Sequence, residues 1–181
     1  MDSISICDIC GKPSNVHMKD IKGTCNLCFN CHNKRIAKLL NLDEPNNAPE
    51  RLTIADNYGE YHEFKIEFMI TGTGKSLTAY EIGENKRKVD VWGSHEDDFN
   101  EMLRMLKARI EKALSVEYMD QHGKIKDQKL VGHIEYDSNL GECVIFVDGK
   151  PYTWAELGEN IPIFEGWKIK IEFGDVGEEL D

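Results

Sequence analysis

The sequence predicts an α+β fold, in which strands outnumber helices and a small cysteine-rich module comes first. Apolar and polar residues alternate in several short runs bounded by turn residues, as in half-buried strands of antiparallel sheets. Residues 94–117 instead carry apolar side chains at three- and four-residue steps, which predicts one long amphipathic helix. Five of the six cysteines lie between Cys7 and Cys31, ahead of these elements.

The cysteines occur in close pairs. Cys7 and Cys10 are separated by two residues, as are Cys28 and Cys31, and Cys25 precedes Cys28 at the same spacing. Each short spacing forms a tight knuckle that points two sulfurs at one ion, so two pairs suit tetrahedral zinc. The pattern predicts a structural Zn²⁺ bound by Cys7, Cys10, Cys28 and Cys31. Cys25 is then a spare thiol, a substitute ligand for Cys28 or a member of a wider site.

A helix is predicted directly after the second pair, because Ile36, Leu39 and Leu40 recur at helical spacing. A cysteine knuckle that runs into a helix resembles a treble-clef zinc finger, and the spacing of the pairs is similar to that of GATA-type fingers. A module of this size cannot bury a core of its own. Metal binding should therefore supply its folding free energy.

Turn-forming residues divide the chain. Residues 1–42 form the predicted zinc-finger module, and the two prolines and two asparagines of residues 43–50 predict a linker. Residues 51–119 should form a β-meander followed by the long helix. Residues 130–176 should form a C-terminal ββαβ section, made of a hairpin, a short helix and a last strand. Polar residues 120–129 either separate two domains or connect parts of one.

The meander is predicted by residues 60–70, where the four apolar side chains from Phe64 to Ile70 alternate with polar ones. Residues 72–76 (GTGKS) look like the end of a phosphate-binding loop. However, Met69 stands where that motif needs its first glycine, and a strand rather than a helix should follow, so a hairpin turn is predicted. Ser94 begins the long helix with a capping-box pattern.

The C-terminal section is predicted by its turn chemistry. Asp148-Gly149 is a strong hairpin signal after an apolar strand that contains Cys143, which should be an inert core thiol. Thr153-Trp154-Ala155-Glu156 is a capping-box pattern that starts a short helix. Alternating apolar residues at 167–173 predict the last strand. The three tryptophans, at positions 92, 154 and 167, are expected in the core, and the alternative is a patch that docks a protein partner.

Charge is distributed unevenly. The net charge is −11, whereas residues 1–42 hold six basic and three acidic residues, formally +3, which leaves −14 for residues 43–181. An acidic body repels nucleic acid at long range, so nucleic-acid contact is predicted only weakly, through Lys34, Arg35 and Lys38. The sequence contains no run of about 18 apolar residues, so no membrane span is predicted. With no signal-peptide pattern and cysteines in metal-type pairs, a cytoplasmic protein is expected.

The stretches CDICGKPSNVH and NLCFNCHNKR are similar to HNH endonucleases. The resemblance implies a general base at His17, an orienting residue at Asn26 and a catalytic-metal ligand at His32, which together would activate water on a phosphodiester. Val16 stands where that family usually has His or Asp, and the body is acidic. A metal-dependent nuclease is therefore the alternative hypothesis.

The function favoured by the sequence is a zinc-stabilised, non-enzymatic binding or adaptor protein that acts through protein–protein contacts. The whole chain, which ends in VDGKPYTWAELGENIPIFEGWKIKIEF before an acidic tail, resembles uncharacterised bacterial zinc-finger proteins. This resemblance implies a bacterial or phage protein and brings no catalytic residues.

Overall fold

The computed structural model describes residues 5–20, 23–43, 48–83 and 86–174. The fold mixes helices with antiparallel sheets, which confirms the predicted α+β class. The elements in chain order are β1 (Val16–Asp20), β2 (Gly23–Leu27), α1 (Phe29–Leu39), β3 (Arg51–Ala55), β4 (Tyr61–Ile70), β5 (Lys75–Glu81), β6 (Lys88–Gly93), α2 (Phe99–Ser115), β7 (His133–Asp137), β8 (Glu142–Val147), β9 (Lys150–Tyr152), α3 (Trp154–Gly158) and a 3₁₀ turn (Ile161–Phe164).

Three sheets result. β1 and β2 form an antiparallel hairpin inside the cysteine module. The order β3-β4-β5-β6 follows the chain, as predicted for a meander. The third sheet has the order β7-β8-β9 with antiparallel pairing throughout. The turn between β8 and β9 has positive φ at both Asp148 (51°) and Gly149 (80°), which is the backbone that the Asp-Gly pair predicts for a two-residue hairpin.

The chain divides into two compact units. The first contains the cysteine module, residues 66–78 and residues 91–106, and the second contains residues 51–65, residues 79–90 and the described chain from residue 107 onward. Both have their own buried side chains. In the first, these include Ile66, Phe68, Ile70, Leu77, Val91, Phe99, Met102 and Leu106. In the second, one cluster contains Met119, Ile145, Val147 and Leu157.

Turn residues 71–74 connect β4 to β5, which confirms the hairpin turn predicted instead of a phosphate-binding loop. Lys75 opens β5 and donates from Nζ to the carbonyl of Asp97 at 3.1 Å. A Cβ at Gly74 would collide with the carbonyl oxygen of Gly93, so glycine is required there by the close approach of two backbones. No helix in the described ranges combines the length and apolar character that crossing a bilayer requires.

The last strand of the predicted ββαβ section does not form within the described chain. Residues 165–174 pair with no strand. Alternation predicts an extended chain with one apolar face, but a strand also needs an edge with which to pair. The nearest edge in sequence, β9, has only three residues, and Pro151 at its centre has no N–H to donate. The section therefore ends as a three-stranded sheet followed by α3, whose predicted capping box is confirmed at Thr153 and Glu156.

Two expectations about the core are wrong. Trp92, Trp154 and Trp167 are 45%, 52% and 59% exposed. Each lies at or just beyond the end of a regular element, where a large ring finds neighbours on one side only. Cys143 is also exposed, because it alternates with the buried Val144 next to the turn of the β7–β8 hairpin. The predicted linker at 43–50 falls partly outside the described residues.

Candidate metal centre

The two cysteine pairs are brought together by the elements between them. In the first pair, the amide of Gly11 donates to the carbonyl of Cys7 at 2.9 Å, and Gly11 takes the positive φ (72°) that closes the knuckle. The β1–β2 hairpin then returns the chain, and the amide of Asp8 donates to the carbonyl of Asn26 at 2.9 Å. Cys28 is the N-cap of α1, so Cys31 falls in the first turn of that helix.

The sulfurs of Cys7, Cys10, Cys28 and Cys31 all lie within 4.8 Å of one another, and those of Cys10 and Cys28 are 3.6 Å apart. Ligands in a tetrahedral zinc–thiolate centre, with Zn–S bonds of about 2.3 Å, are separated by about 3.8 Å. Cys7 and Cys28 are almost fully buried, at 2% and 7% exposure. The chemistry of this donor set and its dimensions therefore fit a bound metal ion, consistent with zinc.

The thiols differ in their readiness to ionise. Burial raises the pKa of Cys7, but hydrogen bonds from the backbone of Cys28, Cys10 and Ile9 and from the Cys10 side chain outweigh it and lower the pKa to about 6. Burial also raises the pKa of Cys31, and hydrogen bonds with the side chains of Cys10, Cys28 and Cys7, followed by the charge of Cys28, raise it further. Four adjacent thiolates repel one another, and a divalent cation among them removes that penalty.

Cys25 lies outside this group of four. It sits on β2 opposite Met18, and Nη1 of Arg35 donates to its sulfur at 3.8 Å. Its side chain packs beside the buried Cys7, Leu27 and Cys28. Cys25 thus belongs to the wall of the metal centre.

His17 and Asn26, two residues of the nuclease hypothesis, are brought together. They face each other across the β1–β2 hairpin, and Nδ1 of His17 donates to Oδ1 of Asn26 at 2.6 Å. Because an amide oxygen only accepts, Nδ1 carries a proton in this contact, and in the neutral ring Nε2 is then the acceptor. His17 is exposed, so this nitrogen is open to solvent.

His32, the third residue of that hypothesis, points elsewhere. It is buried in α1, and its Nε2 donates to the carbonyl of Ile70 in β4 at 3.0 Å. Its other ring nitrogen, Nδ1, is also buried and has no hydrogen-bond partner among the described residues. His32 therefore joins the cysteine module to the sheet of the first unit.

Asn33 is the residue that sequence reasoning missed. It is only 4% exposed, its Nδ2 donates to the carbonyl of Phe68 at 2.8 Å, and its Oδ1 accepts from the amide of Ile70 at 2.9 Å. The Asn33 amide therefore makes the two hydrogen bonds to β4 that the backbone of a neighbouring strand would make, because it offers one donor and one acceptor to the same strand. The available signal was that Asn33 lies on the same helical face as the apolar Ala37.

The basic residues of α1 are spread around the helix. Lys34 and Lys38 are exposed, and Lys38 lies in the last turn, where a cation suits the helix dipole. Arg35 is partly buried and turns toward Cys25. The three side chains that were predicted to contact nucleic acid thus have different surroundings.

A second cluster of metal-type ligands lies at the β3–β4 turn, where Asp56, Glu60 and His62 approach within 4.8 Å. Nδ1 of His62 donates to Oε1 of Glu81 at 2.7 Å, and Nε2 lies 3.3 Å from Oδ2 of Asp56. Arg87 pairs with Glu81 at 3.0 Å. A histidine between two carboxylates, with an arginine paired to one of them, is a hydrogen-bond network that closes this end of the hairpin.

Asp56 should make acid stability depend on this network. Burial raises its pKa, but the amides of Glu60 and Tyr58 and the ring of His62 outweigh it, so the pKa is lowered overall. A lowered folded pKa contributes stability above the unfolded value of about 3.9, and this contribution is lost as the pH falls through the folded pKa. We expect Asp56→Asn to destabilise the protein at pH 7, and the difference from the wild type should shrink as the pH falls from about 4 through the lowered folded pKa, as measured by urea unfolding across pH.

The matched control is Asp127→Asn, which removes an exposed carboxylate. It should change the free energy of unfolding little at either pH. A constant difference between the wild type and Asp56→Asn across the whole range would contradict the assignment.

Two family models match parts of the chain, both described as domains of unknown function. The first, DUF7686, matches residues 46–115, and the second, DUF7713, matches residues 114–178. The two matches meet at the end of α2, and the cysteine module lies before both. No curated protein and no solved structure matches the chain.

Proposed function

We propose that the chain is a zinc-stabilised binding protein that acts as an adaptor through protein–protein contacts. In this proposal Cys7, Cys10, Cys28 and Cys31 hold a structural Zn²⁺ in a treble-clef-type module. The observation that carries the binding role is the exposure of Trp92, Trp154 and Trp167, each close to half exposed. Exposed tryptophan is costly in water and is the residue most enriched among the energetic anchors of protein interfaces.

A non-enzymatic role is supported by the use that the fold makes of His32. Nε2 of this side chain is occupied by a backbone carbonyl, and Nδ1 is buried. A catalytic metal that acts on a phosphodiester must keep open positions for water and substrate. The residue that the nuclease needs as its metal ligand serves instead to attach α1 to β4.

The proposed setting is the cytoplasm of a bacterial or phage-infected cell. All six cysteines are free thiols, and four of them form the metal group. Zinc needs thiolates, which a reducing compartment preserves. Any contact with nucleic acid would be made by Lys34, Arg35 and Lys38, and the negative charge of residues 43–181 would oppose it.

Partner capture from native lysate tests the adaptor role, with half of the lysate treated with nuclease. Bound proteins should be the same in both halves and should be lost with Trp92→Ser or Trp154→Ser. Tyr58→Ser is the matched control, since Tyr58 is 81% exposed at the β3–β4 turn. Partners that disappear with nuclease treatment would show that nucleic acid mediates the contact.

The metal-dependent nuclease remains the second candidate because of one observation, the 2.6 Å contact that orients His17 through Asn26. A general base needs this kind of support for its second ring nitrogen. Nδ1 of His17 is held by Asn26, and Nε2 is the ring nitrogen left to accept a proton from water in that role. What the candidate lacks is an accessible metal ligand at His32.

A cleavage assay separates the two candidates. On the adaptor proposal, the wild-type protein should leave single- and double-stranded DNA and RNA intact with Mg²⁺ or Mn²⁺, and His17→Ala should behave identically while keeping its zinc. Cleavage by the wild type that His17→Ala abolishes at unchanged zinc content would establish the nuclease and refute the proposal.

A further inference from the structure

The segment from Trp167 to Phe173 is a strand without a partner. Trp167, Ile169, Ile171 and Phe173 are 59–74% exposed, and no turn or bend interrupts residues 168–174. Nζ of Lys170 contacts Oε2 of Glu172 at 2.9 Å, so these side chains lie on the same side, as the two-residue repeat of an extended chain requires. The segment therefore has one apolar face and one charged face, and its backbone is free of strand pairing.

β7 is a matching edge. Within the described chain it pairs only with β8, so one row of its amides and carbonyls is open. Ile134 and Tyr136, on one face of β7, are 49% and 66% exposed. Glu135 and Asp137 lie on the other face. An exposed apolar edge strand of this kind is a template for another strand.

We propose that residues 168–172 add to β7 of a second copy of this chain as an antiparallel strand, which makes a reciprocal dimer. The opposed pairs are Lys168 and Asp137, Ile169 and Tyr136, Lys170 and Glu135, Ile171 and Ile134, and Glu172 and His133. Every apolar side chain then faces an apolar one, and both lysines face carboxylates. Opposed apolar and opposite-charge pairs are the units that stabilise a sheet.

The charges also select the direction of the strand. A parallel alignment over the same residues would oppose Glu172 to Asp137. Like charges directly opposite destabilise a sheet. The antiparallel register avoids this conflict and turns the sheet of β7, β8 and β9 into a four-stranded one.

The second copy is the occupant because each chain carries one donor segment and one acceptor edge. The start of the segment, its root, is held against the 3₁₀ turn of its own chain. There the Trp167 amide donates to the Phe164 carbonyl at 2.9 Å, and the two rings pack edge to face with their centroids 5.8 Å apart. Beyond that root, residues 168–174 pair with no strand in the described part of their own chain. When the segment of each copy pairs with β7 of the other, no donor segment or acceptor edge of this kind is left over, and the assembly is a two-fold symmetric dimer.

Size-exclusion chromatography with light scattering tests the dimer. The wild type should have twice the 20.7 kDa mass of one chain. The double variant Ile169→Lys, Ile171→Lys should have half that mass, and it should remain folded because both residues are exposed. The control Tyr58→Lys, Tyr61→Lys changes two exposed residues outside the proposed contact and should stay dimeric. A monomeric wild type, or a dimer that survives the double variant, would overturn the proposal.

An engineered disulfide tests the register of the proposed pairing and shows whether the segment pairs with β7 of the other copy or of its own chain. In a Cys143→Ser background, which removes the exposed thiol opposite Tyr136, the pair Ile169→Cys and Tyr136→Cys should oxidise to a covalent dimer. The shifted pair Ile171→Cys and Tyr136→Cys should cross-link much less. A bridge that closes within one chain would show that the segment returns to its own β7, and would refute exchange between copies.

Discussion

Cys28→Ser is expected to abolish zinc binding and to unfold the cysteine module. Cys28 supplies one of the four clustered sulfurs and also caps α1, at 7% exposure. A serine hydroxyl stays protonated at neutral pH and cannot replace a thiolate ligand. Since structural zinc contributes about 10–16 kcal/mol to the folding of small finger peptides, its loss should unfold a module that buries so little else. Metal analysis should fall from about one zinc per chain to near zero.

Two cysteine variants are matched controls for this change. Cys143→Ser removes an exposed thiol in β8, and Cys25→Ser removes the thiol that receives the Arg35 hydrogen bond. Both should keep one zinc per chain. Full zinc in Cys28→Ser, lost only when Cys25 is also replaced, would mean that Cys25 serves as the substitute ligand, and the four-sulfur group would have to be redrawn.

The cysteine spacing predicted the metal group because that information is local. Two residues between cysteines almost dictate a knuckle, and the hairpin needs only to bring Cys7 and Cys10 to the helix that starts at Cys28. The meander was predictable for a similar reason, since the alternation from Phe64 to Ile70 and the turn residues at Gly72 and Gly74 act over short distances.

What the sequence did not predict depends on partners far along the chain. Trp167 and the residues after it have the alternation of a strand, yet strand formation needs an edge that the pattern does not identify. Asn33 looks like an ordinary polar residue of α1 until β4 is placed beside it. Trp92 and Trp154 were expected in the core because their size favours burial, but their exposure is decided by which surfaces the fold leaves open.

Asn33→Ala should cost about 3 kcal/mol in the free energy of unfolding of the first unit. The change leaves the carbonyl of Phe68 and the amide of Ile70 without the partners that Asn33 provides at 2.8 and 2.9 Å. Water cannot replace them easily, because Asn33 is 4% exposed and Phe68 and Ile70 are also buried. Each stranded buried group costs about 1–3 kcal/mol. Urea unfolding of the zinc-loaded protein measures the difference.

Asn30→Ala is the internal control, since Asn30 lies in the same helix and is exposed. It should change the free energy of unfolding by less than about 0.5 kcal/mol. Asn33→Asp keeps the acceptor for Ile70 but places a second acceptor against the Phe68 carbonyl, so it should be at least as damaging as alanine at neutral pH and should recover when the carboxyl is protonated. If Asn33→Ala and Asn30→Ala cost the same, the hydrogen bonds to β4 contribute nothing, and the cysteine module must be attached to the sheet by other contacts.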